Sequence, residues 1–208
     1  VVGFGPSLKE TVEEIRAYKY IISCSGSHRF LIDRGMVPTW HMAVDPLPKN
    51  TVELIGEPHP DVEYLISSTT HPDVLEHLRH NKVKLWHVFT NEEEGNRILP
   101  PGEWMVTGGA DVGLRSMVMA RLLGFKDIHV FGIDGSGDTN KYSHAGKHPS
   151  VPGAMFPCEY PEGSGDLYYT TPALMTCAKS LPHEVSQLKG ATVTFPGNGW
   201  VQAIIRHT

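Results

Sequence analysis

The chain alternates between two hydrophobic patterns along its length. Short runs rich in Val, Ile, Trp and Phe, bounded by turn residues, predict strands. Stretches in which apolar residues recur every three or four positions predict helices. The predicted strands are 1–4, 20–24, 40–44, 62–67, 84–89, 104–107, 127–133 and 192–195, and the predicted helices are 8–18, 72–79, 112–123, 172–188 and 199–206. This alternation predicts an α/β fold with a mostly parallel sheet and helices on both faces.

The predicted helix at 172–188 has well-marked start signals. Thr171 supplies an N-cap and Pro172 the first helical residue, a position that proline favours because its missing N–H would be unpaired there anyway. Pro182 lies in the middle of the same pattern. A proline inside a helix removes one backbone hydrogen bond, so we expect Pro182 to kink or divide this helix.

Glycine and small polar residues follow nearly every predicted strand. The carboxyl ends of parallel strands meet at one edge of a sheet, and open α/β sheets bind ligands there. Each turn alone is ordinary, since turns favour Gly, Ser and Asp in any protein. Their number predicts a site for a polar small molecule that carries phosphate. The candidate binding residues are Gly3, Gly5, Pro6, Ser7, Ser25, Gly26, Asp45, Thr107, Gly108 and Gly109, and Asp134 ends the last strand of the series.

The first of these turns, residues 3–7, leads directly into a predicted helix. Free N–H groups and the positive end of a helix dipole attract anions, so this turn is a candidate phosphate site. Ser7 and Glu10 have the spacing of a capping box. The alternative is that Ser7 only caps the helix and the glycines only form the turn. Residues 107–109 are a second anion-site candidate, where Asp111 is expected to cap the next helix and to oppose a close phosphate.

Asp45 and Asp134 each end a strongly apolar predicted strand. Carboxylates in this position commonly hold a ribose hydroxyl or a metal ion, or exchange a proton with the substrate. Each is equally well explained as part of an Asx turn or a helix cap. Both interpretations stay open for both residues.

The segment 134–164 is rich in glycine and proline and shows little periodicity. A loop of this length in a compact domain is usually a functional lid or disordered, and we expect a partly mobile lid. His144 and His148 lie in it, just after Asp134. A histidine beside a nucleotide site is a natural general acid or base, with His144 ahead of His148. The alternative is that both are solvated loop side chains.

Composition excludes several classes of protein. The chain has 208 residues, enough for one α/β domain, and its net charge of -5 without a Lys/Arg run argues against nucleic-acid binding. No apolar stretch reaches the length of a membrane span. Cys24, Cys158 and Cys177 are odd in number and widely spaced, which favours reduced thiols in a cytoplasmic setting over disulfides or a zinc site.

Four motifs in order resemble one protein family: GFGPSL at 3–8, AVDP at 43–46, GG at 108–109 before a helix, and FGID at 131–134. This is the 6-hydroxymethylpterin diphosphokinase MptE-like family, which includes the motility accessory factor glycosyltransferases. The first and last motifs are also similar to those of bacterial sialyltransferases that use CMP-sialic acid. The resemblance extends over nearly the whole chain as a series of short motifs.

The resemblance implies a single Rossmann-like, three-layer α/β/α domain over residues 1–208 that holds a nucleotide at the carboxyl edge of its sheet. It implies nucleotide contacts from Gly5, Pro6 and Ser7 and from Gly108 and Gly109, and it assigns the catalytic base to His144 or His148. Position 4 departs from the pattern, because Phe4 stands where those sialyltransferases carry an asparagine that touches the donor.

Three functions are therefore carried forward. The leading one is a nucleotide-dependent transferase that uses a CMP-linked, sialic-acid-like sugar donor. The alternative is a diphosphokinase that transfers pyrophosphate from ATP to a hydroxymethylpterin, with Mg²⁺ held by Asp45 and Asp134. The third is a non-catalytic nucleotide- or sugar-phosphate-binding module. The expected partners are a nucleotide or nucleotide sugar and a small-molecule or glycan acceptor, and an oligomer is compatible with the sequence.

An NAD-dependent dehydrogenase is disfavoured by two observations. The chain has no G-x-G-x-x-G turn, and Cys24 and Ser25 stand where an acidic residue should end the second strand.

Overall fold

The structure is a computed structural model that describes residues 1–89, 93, 97, 99–109, 111–140, 142–149 and 153–207. A parallel sheet forms its centre. Five strands lie side by side in chain order, and every neighbouring pair is parallel: β1 (Ile22–Cys24), β2 (Trp40–Ala43), β3 (Glu63–Ser67), β4 (Lys82–Val88) and β5 (Met105–Val106). The predicted parallel α/β sheet is confirmed.

The opening residues extend this sheet on its other side. Val2 pairs in parallel with Ser23 of β1 and with Phe131, which follows β6 (Asp127–His129). β6 in turn pairs in parallel with β9 (Thr192–Thr194). The chain thus places β1 to β5 on one side of Val2 and β6 and β9 on the other. This reversal makes the carboxyl end of the opening segment the switch point, where open α/β sheets form their ligand crevice.

Helices cover both faces of the sheet. They are α1 (Leu8–Thr11), α2 (Ser27–Ile32), α3 (Pro48–Ile55), α4 (Pro72–His77), α5 (Val112–Leu122), α6 (Pro172–Gln187) and α7 (Trp200–His207). Successive strand residues point to opposite faces. Leu65 therefore joins one core, with α5, α6 and α7, whereas Tyr64 and Ile66 join a second core with α3 and α4. This three-layer arrangement confirms the predicted Rossmann-like class.

Several local predictions need correction. The helix predicted at 8–18 consists of α1 followed by a 3₁₀ helix, Val12–Ala17. The 3₁₀ winding places Val12 and Ile15, three residues apart, on the same buried side. Pro182 lies inside α6 and does not divide it. The short helices α2 and α3 were not predicted.

An antiparallel hairpin forms between β7 (Phe156–Glu159) and β8 (Leu167–Thr170). β7 lies inside the segment 134–164 that was predicted as a lid. That segment therefore contains a strand, which its many glycines and prolines did not indicate. A bridge between Gly137 and Tyr169 ties the hairpin to the residues that follow Asp134. The function of 134–164 as a lid stays a prediction.

Within the described residues, no helix is both long and apolar enough to cross a membrane.

Candidate functional site

The opening segment and the residues after β6 lie so close together that only glycine fits at their contact. A Cβ atom on Gly3 would collide with the carbonyl oxygen of Gly132, and one on Gly5 would lie 2.5 Å from Oδ2 of Asp134. The N–H of Gly3 donates to the carbonyl of Phe131 at 2.8 Å, and that of Gly5 to Gly132 at 2.7 Å. The first role of these two glycines is therefore to join the halves of the sheet.

Asp134 occupies the place where the sequence predicted a phosphate. Its Oδ2 accepts the backbone N–H of Ser7 at 2.8 Å, and its Oδ1 accepts the Ser7 hydroxyl at 2.5 Å. Asp134 is 4% exposed. Burial raises its pKa, while the hydrogen bonds from Ser7 lower it. The predicted capping box is wrong, because the Ser7 side chain binds Asp134 and makes no capping hydrogen bond to α1.

A cleft of about 220 Å³ opens beside this contact. The ends of the central strands, the start of α5 and a loop after Asp134 form its walls. The predicted site residues that line it are Gly3, Gly5, Ser25, Asp134, His144 and His148. Pro6 and Ser7 line a neighbouring cavity, and Gly26 lines a wider surface groove beyond Phe4. The structure therefore brings the two histidines together with Asp134.

His144 and His148 stack face to face in the cleft. Their ring centroids are 3.9 Å apart and their planes differ by 7°. Nδ1 of His144 lies 2.9 Å from the Ser143 hydroxyl, and Nε2 of His148 lies 3.5 Å from that of Ser25. Burial, followed by the charge of His148, lowers the pKa of His144 to about 4. Burial lowers the pKa of His148, while the Asp45 carboxylate raises it. Both imidazoles are neutral at pH 7.

Phe4 packs against this histidine pair. Its ring centroid lies 5.8 Å from that of His144 and 6.5 Å from that of His148. A Cβ atom on Gly26 would collide with the Phe4 ring. Phe4 is 8% exposed and belongs to a buried apolar cluster. Phe4, which stands where the sialyltransferase pattern has an asparagine, thus packs against both imidazole rings.

A second compartment of about 190 Å³ lies beyond His148. Its polar lining consists of Ser25, His41, Asp45, Thr51, Asp111 and His148. The carboxylate of Asp45 accepts the Leu47 N–H at 2.8 Å and the Asn50 amide at 3.1 Å. Of the two interpretations of Asp45, the Asx turn is formed, and the same side chain faces this compartment.

The predicted anion turn at 107–109 lies apart from the cleft. Thr107 is exposed, and Gly108 packs against the backbone of Arg115 with a φ of +117°. Gly109, with a φ of +75°, lies beside the side chain of Leu114. None of the three lines the cleft that the described residues form. Their positive φ angles account for the two glycines without any ligand.

Asp111 is the cleft residue that the sequence analysis missed. It caps α5 as predicted, since its Oδ1 accepts the N–H of Gly113 at 2.6 Å and that of Leu114 at 3.2 Å. It also lines both the cleft and the second compartment, and burial raises its pKa. Its position at the start of a helix after a carboxyl-edge turn was the available signal.

The two carboxylates proposed for Mg²⁺ do not converge. Asp134 directs both oxygens at Ser7, and Asp45 directs its oxygens at Leu47 and Asn50. They line different cavities. Among the described residues, no group of three or more His, Cys, Asp or Glu side chains is arranged to hold a metal ion. The Asp45–Asp134 pair therefore does not fit a two-carboxylate magnesium site.

Comparison with protein families now identifies the chain's relatives. A model described as 6-hydroxymethylpterin diphosphokinase MptE-like matches residues 1–139, well over half of the 208. The chain belongs to this MptE-like family. The resemblance inferred from the short motifs is thereby confirmed. The match includes the opening segment and Asp134 and ends before both histidines.

A solved structure of a Maf glycosyltransferase from Magnetospirillum magneticum AMB-1 has the same fold. Its TM-score is 0.68 at 19% sequence identity, over 95% of this chain and 31% of that one. The MptE-like chain thus spans less than a third of the length of this neighbour. No curated protein matches the chain. The family description and the neighbour's name both refer to enzymes that transfer groups.

Proposed function

We propose that this MptE-like chain is a transferase that binds a nucleotide-linked sugar in the cleft and passes the sugar to an acceptor hydroxyl. We assign the donor to the CMP-linked, sialic-acid-like class. The observation that carries the proposal is the stacked pair of His144 and His148 beside buried Asp134. Family membership and the fold of a Maf glycosyltransferase support the same reaction type.

The charges that line the cleft indicate which of the two histidines carries a proton when a phosphate is bound. Its described lining includes the carboxylates of Asp111 and Asp134 and no lysine or arginine. A bound phosphate therefore needs a proton on an imidazole. His148 is the better candidate, because burial lowers its pKa but the nearby Asp45 carboxylate opposes that lowering. A second proton on the ring stacked 3.9 Å away would cost about 4 kcal/mol at an effective dielectric constant of ~20, so His144 stays neutral.

This division gives each histidine a chemical role. Neutral His144 accepts the proton of the acceptor hydroxyl as that oxygen bonds to the anomeric carbon. The bond between that carbon and the phosphate oxygen breaks, and its electron pair leaves with the nucleotide phosphate. Protonated His148 gives its proton to that phosphate oxygen as His144 takes up the proton of the acceptor, so the stacked pair carries one proton throughout. Asp134 holds the opening segment in place through Ser7 and is a positioning residue in this scheme.

A thermal-shift panel of CMP, CDP, UDP, GDP, ADP and ATP, each with and without Mg²⁺, tests the proposal. A ligand that binds the folded state raises the melting temperature in proportion to the logarithm of its concentration over its Kd. We expect CMP to give the largest shift without Mg²⁺. No shift from any nucleotide would overturn the proposal.

The variant His144→Asn with His148→Asn locates the binding. We expect it to lose the CMP shift, whereas the matched variant His183→Asn should keep it, because His183 is exposed on α6 away from the cleft. A CMP shift that survives in the double variant would place the nucleotide elsewhere.

The family description supports a second candidate, the ATP-dependent diphosphokinase. In that case ATP with Mg²⁺ gives the largest shift and EDTA abolishes turnover. A CMP-sugar transfer is expected to continue in EDTA. The same panel therefore separates the two enzymes, and binding without turnover identifies the non-catalytic module.

A further inference from the structure

The cavity lined by Pro6 and Ser7 has a volume of about 280 Å³ and shares Asp134 with the cleft. It is bounded by the start of α1, the end of the β7–β8 hairpin and the residues before α7. Asp134 and Ser136 line both this cavity and the 220 Å³ cleft. Ligands in the two cavities would therefore touch the same two residues.

The segment 134–137, which contains the two residues that both cavities share, is held by hydrogen bonds from several elements. The Thr170 hydroxyl donates to the carbonyl of Gly135 at 2.9 Å, and the N–H of Gly137 donates to Tyr169 at 2.7 Å. From α7, the N–H of Trp200 donates to the Ser136 hydroxyl at 3.1 Å. The segment that both cavities share is thus tied to the hairpin and to the start of α7.

The lining of this cavity favours a hydroxylated, uncharged ligand. Tyr168, Tyr169 and Asn198 offer rings and hydrogen-bonding groups, and the Asn198 amide donates to Glu10 at 3.1 Å. Among the described lining residues, Lys9 is the one cation, against the carboxylates of Glu10, Asp134 and Asp138. This balance opposes a phosphate. Carboxylate and amide oxygens next to aromatic rings suit hydroxyl donors on a partly apolar frame.

We propose that this cavity binds the acceptor, and that the acceptor is a neutral sugar or polyol. The inference rests on the proposed function, because it places the second substrate of the same transfer. The acceptor presents a hydroxyl across Asp134 and Ser136 toward the donor in the cleft. Holding both reactants against the same segment, 134–137, brings them close together, as a two-substrate transfer requires.

Saturation-transfer NMR of the protein with glucose, galactose, mannose and N-acetylglucosamine tests this site. Galactose 6-phosphate is the charged comparison. We expect at least one neutral sugar to bind and galactose 6-phosphate to bind more weakly than galactose. Asn198→Ala and Glu10→Gln should each weaken sugar binding about fivefold, as expected for one lost hydrogen bond.

Two controls keep the result specific. Glu14→Gln alters an exposed carboxylate one turn further along and should leave sugar binding unchanged. Cys177→Ala should also leave it unchanged, because Cys177 lines the cleft and not this cavity. Sugar binding that is unchanged in both Asn198→Ala and Glu10→Gln would overturn the inference, as would failure of every neutral sugar to bind. Nucleotide binding without sugar binding refutes this inference alone, and sugar binding without nucleotide binding refutes the proposed function alone.

Discussion

Gly5 shows at the residue scale how little space the switch point leaves. A Cβ atom there would lie 2.5 Å from Oδ2 of Asp134 and 2.8 Å from the carbonyl oxygen of Gly132. We expect Gly5→Ala to lower the free energy of unfolding by about 1–3 kcal/mol, the range for overpacking a closely packed site. Urea denaturation measures this. Gly153→Ala is the control, since its Cβ would make only ordinary contact at 3.7 Å, and equal losses in the two variants would contradict the interpretation.

The histidine pair gives a second prediction at the residue scale. The pKa of His144 is about 4, and burial also lowers that of His148. A bound phosphate raises the pKa of the imidazole that faces it, so binding takes up a proton between the free and bound pKa values.

We therefore expect CMP affinity to rise as the pH falls from 7 to 5. Calorimetry in buffers of different ionisation enthalpy would show net proton uptake. His148→Gln should flatten this dependence, and an unchanged pH profile in that variant would contradict the assignment of the proton.

At the scale of elements, a buried polar network joins α2 to the sheet. Nδ1 of His28 lies 3.0 Å from the carbonyl of Ile55, and its Nε2 lies 3.1 Å from the Tyr64 hydroxyl. The His28 and His41 rings lie 4.8 Å apart. Burial lowers the pKa of His28 to about 4 and that of His41 well below its usual value. Both imidazoles are therefore neutral in the folded protein.

This network predicts acid sensitivity. The folded pKa of His28 lies below the unfolded value of about 6.5, so the unfolded state binds more protons between these values and stability falls as the pH drops through that range. A folded pKa of about 4 makes the stability lost on full protonation of His28 about 3 kcal/mol. We expect the stability advantage of the wild type over His28→Gln to shrink from pH 6.5 to 4 in urea titrations. The exposed His183→Asn controls for loss of a histidine, and an advantage that stays constant with pH would contradict the prediction.

At the scale of the whole molecule, stability should be greatest where the two halves of the sheet meet. Val2 is 1% exposed and pairs on both sides, and the N–H groups of Gly3 and Cys24 donate across these pairs. The β7–β8 hairpin is more peripheral, since its residues alternate between exposed and half-buried over most of its length. Elements with fewer buried contacts open at lower free energy.

Hydrogen exchange tests this gradient. We expect amides of the β7–β8 hairpin to exchange at least about tenfold faster than those of Gly3 and Cys24. Equal protection in both regions would contradict this expectation. A sugar bound against Tyr168 and Tyr169 should slow exchange in the hairpin selectively, which links the measurement to the acceptor cavity.

The sequence by itself determined the fold class and predicted the edge of the sheet where the candidate site lies. Hydrophobic periodicity depends on near neighbours, so the parallel strands, the α5 and α6 helices and the cap at Asp111 were predictable. The order GFGPSL to FGID also identified the family. The hairpin and the helices α2 and α3 were missed, and short elements of this kind depend on packing for their stability.

Only the tertiary structure decided what each turn residue does. Ser7 and Asp134 are 127 positions apart, and nothing local indicates that they bind each other and fill the expected anion site. The same holds for the stack of His144 and His148 on Phe4 and for the separation of Asp45 from Asp134. The positions of these side chains depend on hydrogen bonds and packing between segments that are distant in the sequence and meet only in the folded chain. They arise from the topology of the sheet, which local sequence patterns do not encode.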